Sequence, residues 1–160
     1  MDEQIRILVA DDDEGIRETI ATILEDEGYL VDKAENGKEA IEKSNKRVYN
    51  VALIDIRLPD MEGTELLTAM KDTMPKMIKI IITGYPAVQN AIDAVNKGAD
   101  AYILKPVKVD NLLSTIKEHL KKQREAKKFN EEKVTEFIKT RVREIEEEEM
   151  THKKEPSKQQ

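Results

Sequence analysis

The chain has 160 residues, of which 39% are hydrophobic and 38% charged, and its formal net charge is −6. That length allows one ordinary domain with an appendage, while the negative balance excludes the basic footprint that direct nucleic-acid binding needs. The absence of cysteine excludes disulfides and thiolate chemistry; with no apolar run of about 18 residues and no signal-like start in "MDEQIRI", the sequence predicts a cytoplasmic protein without a membrane segment.

Apolar runs alternate with helical patterns five times along the chain. "IRILVA" (5–10) reads as a strand, and Ile16, Ile20, Ile23 and Leu24 then recur at helical spacing up to a stop at Gly28. "YLVDKAE" is a weaker second strand, followed by a short helix, "GKEAIEKSNK", opened by Asn36 and Gly37. "VALIDI" (51–56) is a buried strand, leading through a loop with Pro59 and Gly63 into the helix "TELLTAMKDTM". "MIKIIIT" (77–83) is the most apolar strand. After a turn at Gly84 and Pro86, "AVQNAIDAVNKG" reads as a helix capped by Gly98. "AYIL" (101–104) is the last strand, broken by Lys105-Pro106 before a helix that begins near Asp110.

Five strand–helix units with short connections predict an α/β domain, a doubly wound parallel sheet covered on both faces. Right-handed crossovers favour the flavodoxin-like strand order 2-1-3-4-5. Sites in such sheets lie at the carboxyl ends of the strands, where the strand order reverses. Here that rim gathers Asp11, Asp12 and Asp13 after the first strand, Asp55 at the end of the third, Thr83 at the end of the fourth and Lys105 after the fifth.

Each of these residues has an ordinary reading. Asp13 can cap the following helix, Thr83 is a good strand former, and Lys105 can be an exposed lysine before a turn. Asp55 is harder to explain that way, because a carboxylate ending a buried strand is costly unless paired. Two carboxylates about 4 Å apart repel by roughly 4 kcal/mol near a protein surface. A cation offsets that repulsion, and clustered oxygen ligands suit Mg²⁺, with Mn²⁺ as an alternative. Such a site serves phosphoryl transfer, which needs positioning and charge neutralisation. Asp55, central and at strand height, is the natural nucleophile. The histidines, His119 and His152, are too few and too far apart for a metal cluster, and no glycine-rich phosphate-binding motif occurs.

Residues 5–120 resemble the receiver domain of two-component response regulators. The matching pieces are "ILVADDD", "ALIDIRLPDMEG", "IIITGY" and "GADAYILKP". The resemblance implies that Asp55 accepts a phosphoryl group from the phosphohistidine of a partner histidine kinase or phosphotransfer protein, and that the chain is a phosphoacceptor rather than an enzyme. It implies a metal site of Asp11, Asp12, Asp55 and the backbone carbonyl of Arg57, with Lys105 contacting the phosphoryl group and Thr83 and Tyr102 relaying the change. It also implies a cis bond between Lys105 and Pro106. Arg57 and Tyr85, beside the site, are expected to govern water access and so the lifetime of the phosphoryl group.

Two other readings fit parts of the sequence. A haloacid-dehalogenase-like phosphatase would place its nucleophile in a D-x-D motif such as Asp11-x-Asp13, but its late acidic pair has no counterpart where the fifth strand ends in Lys-Pro. The other is a receiver-based interaction module with a vestigial site.

Residues 1–122 are thus expected to form the receiver, 123–149 an amphipathic helical extension and 150–160 a disordered tail, with no recognisable output domain. The charged stretch 121–132 reads as a spacer. Beyond it Val134, Phe137, Ile138, Val142 and Ile145 give a helix an apolar stripe. The alternatives are burial of that stripe in a homodimer through the C-terminal helix, in a downstream protein target or on the receiver itself, and a lone solvated helix held only by charge pairs.

Overall fold

The computed structural model describes residues 4–70, 72–84 and 88–154. The chain divides into two compact units, residues 1–123 and 124–160. The first unit contains β1 (Arg6–Ala10), α1 (Glu14–Asp26), β2 (Leu30–Ala34), α2 (Gly37–Lys46), β3 (Val51–Asp55), α3 (Gly63–Ala69), β4 (Ile78–Thr83), α4 (Val88–Asn96), β5 (Ala101–Leu104) and the start of α5 (Val109–Lys154). All neighbouring strands pair in parallel, in the order β2-β1-β3-β4-β5.

Alternation along the strands divides the core between the two faces of the sheet. Leu8, Ala10, Ala52, Ile54 and Ile81 pack with Ala40 of α2, Leu66 and Leu67 of α3 and Ala94 of α4. Ile7, Val9, Leu53, Ile80, Ile82 and Ile103 face the other way, onto Ile20 and Leu24 of α1 and Leu112, Ile116 and Leu120 of α5. The central strands β3 and β4 are buried throughout, whereas β2 on the edge is half-buried. This matches the near-continuous apolar runs of a parallel sheet covered on both sides.

The expected helix stops at Gly28 and Gly98 have positive φ, 93° and 100°, the left-handed conformation in which glycine ends a helix without steric cost. Asn36 caps α2 by accepting from the Glu39 N–H at 2.8 Å.

Two elements differ from the sequence reading. α3 ends at Ala69 instead of running through "TELLTAMKDTM": Met70 leaves helical geometry and buries its side chain, and Lys79 Nζ of β4 donates to the Leu67 carbonyl at 2.7 Å. A tertiary partner thus takes over a last-turn acceptor. The helical extension expected over 123–149 includes most of the charged stretch 121–132, and α5 runs on past residue 149 to Lys154. The stretch contains no proline or glycine and is rich in Lys, Glu, Gln and Ala, all good helix formers. Residues 150–154, expected to be disordered, are thus helical, and 155–160 lie outside the described residues.

Candidate functional site

The site forms where β1, β3 and β5 end. Asp11 follows the last residue of β1 and continues its pairing, its N–H donating to the Ala34 carbonyl at 3.1 Å. Its carbonyl accepts from Arg17 Nη1 of α1 at 2.9 Å. One of its carboxylate oxygens accepts from the Asp13 N–H at 2.9 Å, and the other from Lys105 Nζ at 3.0 Å. Asp11 is buried, and every one of these contacts fixes it in place.

Asp55, the last residue of β3, is 8% exposed. Its carboxylate lies 3.4 Å from Lys105 Nζ and accepts a hydrogen bond from the Arg57 main-chain N–H. Carboxylate oxygens of Asp11, Asp12 and Asp55 all lie within 4.8 Å of one another, with Asp12 exposed to solvent. Burial and then the charge of Asp11 push the Asp55 carboxyl up to about 6, against the opposing pull of Lys105 and the Arg57 N–H. Burial also disfavours the Lys105 ammonium, but its hydrogen bond to Asp11 and the charges of Asp11 and Asp55 outweigh this and hold its pKa above the ordinary lysine value. Three carboxylates facing one ammonium leave negative charge uncompensated. Hard oxygen donors with a solvent-facing side suit a divalent cation, and this cluster could hold one.

Thr83, fully buried at the end of β4, is joined to the site through the backbone: its carbonyl accepts from the Lys105 N–H at 2.7 Å. Tyr102 pairs with Ile81 across the β4–β5 ladder and is half-buried against the core face formed with α2, α3 and α4. It sits three residues before Lys105 along β5 and its connection, not in the carboxylate cluster. Tyr85 lies outside the described residues. The Lys105-Pro106 bond is cis, and so is Met74-Pro75, which the sequence reading did not single out.

Asp13 takes the ordinary role. Its carboxylate accepts from the Ile16 N–H at 3.0 Å and caps α1, so the Asp11-x-Asp13 spacing does not bring a second acid to the site as a phosphatase-like nucleophile motif would.

Two supporting residues, Arg17 and Asp60, escaped the sequence reading, and a third, Gly63, has a role that it did not give. Arg17 is buried against the Asp11 carbonyl; its signal was a position shared with Ile20, Ala21 and Leu24 on the buried face of α1. Asp60, in the loop after β3, accepts from the Gly37 and Lys38 N–H groups at 2.8 and 2.9 Å, and no local pattern marks that partnership. Gly63, part of the "ALIDIRLPDMEG" match, has a structural role that the match does not state. A Cβ there would collide with the Asp55 carbonyl and the Ile56 Cα, and its N–H donates to the Ile56 carbonyl at 2.7 Å. The turn that brings α3 back beneath Asp55 therefore requires glycine.

Residues 7–117 match the response regulator receiver domain. The chain belongs to that family. The receiver is 46% identical to a CheY-like receiver domain protein from Methanospirillum hungatei, whose crystal structure superposes with a TM-score of 0.74 over 78% of this chain and 99% of that one. A response regulator from Burkholderia pseudomallei is 32% identical, with a TM-score of 0.66 over 69% of this chain and 65% of its own; its crystal structure contains a phosphorylated aspartic acid, a calcium ion and citrate. The transcriptional regulatory protein ZraR of Klebsiella oxytoca is 38% identical over 118 residues, which are 74% of this chain. The match spans about a quarter of the length of that relative (27%). Receiver domains are phosphoacceptors rather than classical enzymes, generally phosphorylated by histidine kinases. Among the described residues, no helix is long and apolar enough to cross a membrane.

Proposed function

We propose that Asp55 accepts a phosphoryl group from the phosphohistidine of a histidine kinase or phosphotransfer protein. The observation that carries this reading is the geometry at Asp55: a largely buried carboxylate at a strand end, with Lys105 at 3.4 Å and two further carboxylates clustered beside it. An Asp55 oxygen attacks phosphorus. The O–P bond forms as the P–N bond of the donor breaks, and the bonding electrons pass to the imidazole nitrogen. Lys105 neutralises charge on the phosphoryl oxygens, and the Thr83 hydroxyl donates to one of them.

Asp11, Asp12, Asp55 and the Arg57 carbonyl would hold the divalent metal, Mg²⁺ or alternatively Mn²⁺. When bound, the metal offsets the carboxylate repulsion and balances phosphoryl charge. The chemistry of the donor set supports this, as does the calcium ion in the Burkholderia pseudomallei relative.

A phosphoryl group adds strong acceptor oxygens beside Thr83, drawing that residue and its loop inward. Tyr102 on the adjacent strand then changes position. Ile92 and Val95 of α4 and Leu104 of β5 are exposed apolar residues on the elements so coupled, and are suited to a protein partner whose affinity the switch controls. The site therefore serves signalling through phosphorylation-dependent protein contacts in the cytoplasm, without direct nucleic-acid contact.

The test is incubation with a small acyl-phosphate donor and Mg²⁺, read by intact-protein mass. One phosphoryl group is expected on the wild type, none on Asp55→Asn, and none on the wild type in excess chelator. Unchanged labelling of Asp55→Asn would refute the assignment, and absence of labelling in the wild type would favour a vestigial site.

A further inference from the structure

We propose that Arg17 is a positioning residue of the carboxylate site, one that sets the place of Asp12 through the main chain. The inference rests on the reading of Asp11, Asp12 and Asp55 as metal ligands. Arg17 is 7% exposed and shares the buried face of α1 with Ile20, Ala21 and Leu24. Of the five buried polar or charged residues among those described, Asp11, Asp55 and Thr83 lie at the strand ends that form the site, and Lys79 holds the end of α3. Arg17 is the fifth. A guanidinium buried there is costly, and an apolar residue would serve the packing of α1 without that cost.

The contacts of Arg17 bracket Asp12. Its Nη1 donates to the Asp11 carbonyl at 2.9 Å, and its main-chain N–H donates to the Asp13 carbonyl at 2.9 Å. The Asp11 carbonyl and the Asp12 nitrogen belong to one planar peptide unit, so holding that oxygen fixes the plane from which Asp12 departs. The other two acids are held through their own side chains. Asp11 accepts from the Asp13 N–H and Lys105, while Asp55 accepts from the Arg57 N–H and lies 3.4 Å from Lys105. The Asp12 carboxylate is exposed and, among the described residues, has no hydrogen-bond or ion-pair partner. Its place within 4.8 Å of the other two therefore depends on its backbone, and Arg17 holds the residue on each side.

The charge of Arg17 works against this benefit, which gives the two effects opposite signs. A fixed positive charge beside the cluster repels a divalent cation. Glu35, 3.9 Å from Nη2, offsets it only in part, because its side chain is 70% exposed. The hydrogen bond of Arg17 goes to a neutral carbonyl, which is the arrangement of a fixture and not of a counter-charge. An arginine acting by charge alone would bind metal more tightly once neutralised. One acting by geometry loses affinity when its donors are removed.

The test is uptake of Mn²⁺ by the full-length chain, followed through loss of the free-ion EPR signal, with circular dichroism confirming that each variant is folded. Arg17→Met keeps an unbranched stem but removes the donors and the charge, and is expected to raise the Kd about tenfold, the lower end of what lost supporting contacts cost a metal site. Arg17→Lys keeps the charge and one donor and should bind more tightly than Arg17→Met, an order that charge alone would reverse. Ile20→Val, a packing change on the same face of α1, should leave the Kd unchanged. If Arg17→Met does not fold, Arg17→Gln, neutral and shorter than arginine, is read by the same criterion. A wild-type Kd in the neutral variant overturns the proposal and leaves Arg17 a structural residue. So does tighter binding than wild type, the reversed order of the two variants, or an equal loss in Ile20→Val. A wild type that takes up no Mn²⁺ overturns the metal reading itself, and this inference with it.

Discussion

Asp60 shows how a single exposed carboxylate can tie the site loop to a helix. It follows β3 by a few residues and accepts from the first two N–H groups of α2, Gly37 and Lys38, donors that no intrahelical carbonyl can satisfy. Those hydrogen bonds, the Gly37 bond foremost, lower its pKa below the ordinary value of 3.8. A carboxyl whose folded pKa is depressed contributes stability that is complete above the unfolded pKa and is lost as pH falls through the folded one. Asp60→Asn is therefore expected to destabilise the protein at pH 7, with the difference from wild type shrinking below about pH 4; urea unfolding at the two pH values checks this. A constant difference across that window would mean that ionisation of Asp60 contributes nothing to stability. The primary site acids were legible in the sequence because an acidic residue after a buried apolar run is expensive without a purpose. Asp60 was not, because its partners lie in another element and nothing at its own position marks it. Arg17 falls between these cases: its place on the apolar face of α1 was visible, but its acceptor, the main-chain carbonyl of Asp11, could be found only in three dimensions.

At the level of elements, periodicity and turn residues located all five strands and the helices between them, and the parallel order followed from handed crossovers. The differences lie at element ends: α3 stops at Ala69, where Lys79 takes the Leu67 carbonyl, and α5 runs on past residue 149 to Lys154. Gln123 is a further case of a polar residue acting across elements. Its Nε2 donates to the Lys76 carbonyl at 2.8 Å and the Asn50 carbonyl at 3.1 Å, while its Oε1 accepts from Asn50 Nδ2 at 3.2 Å. The same Asn50 accepts through Oδ1 from the Arg6 N–H at 3.1 Å. Gln123 thus holds the receiver portion of α5 to the segments entering β3 and β4. Gln123→Ala should cost about 1–2 kcal/mol, since two carbonyls and one amide lose partners in a half-buried setting. A shift in urea midpoint of that size, with the m-value unchanged, is the expected observation; no shift would mean that water replaces the side chain at no cost.

Across the whole molecule, the two units differ in what holds them together. Every buried hydrophobic residue among those described lies at or before Leu120, while residues 128–152 are exposed throughout. The first unit has a core on both faces of its sheet. The described residues of the second have none, and a helix without a buried face is marginal in water. The receiver's folding free energy therefore resides in residues up to 123, and so would any stability gained from the proposed metal, because all three clustered carboxylates lie there. A chain ending at Gln123 is expected to unfold at the same denaturant midpoint as the full chain. Mg²⁺ at about 100 times its Kd should then stabilise both by about 2.7 kcal/mol, provided that it binds only the folded state. Asp12→Asn should cut this increment in both chains, because it removes a proposed ligand that is exposed and carries no core packing. If the shortened chain instead unfolds more than about 1 kcal/mol earlier, beyond the usual spread of a surface change, residues 124–160 contribute to receiver stability. An increment that is equal in both chains but insensitive to Asp12→Asn would remove that residue from the metal site while leaving Asp11 and Asp55 in it.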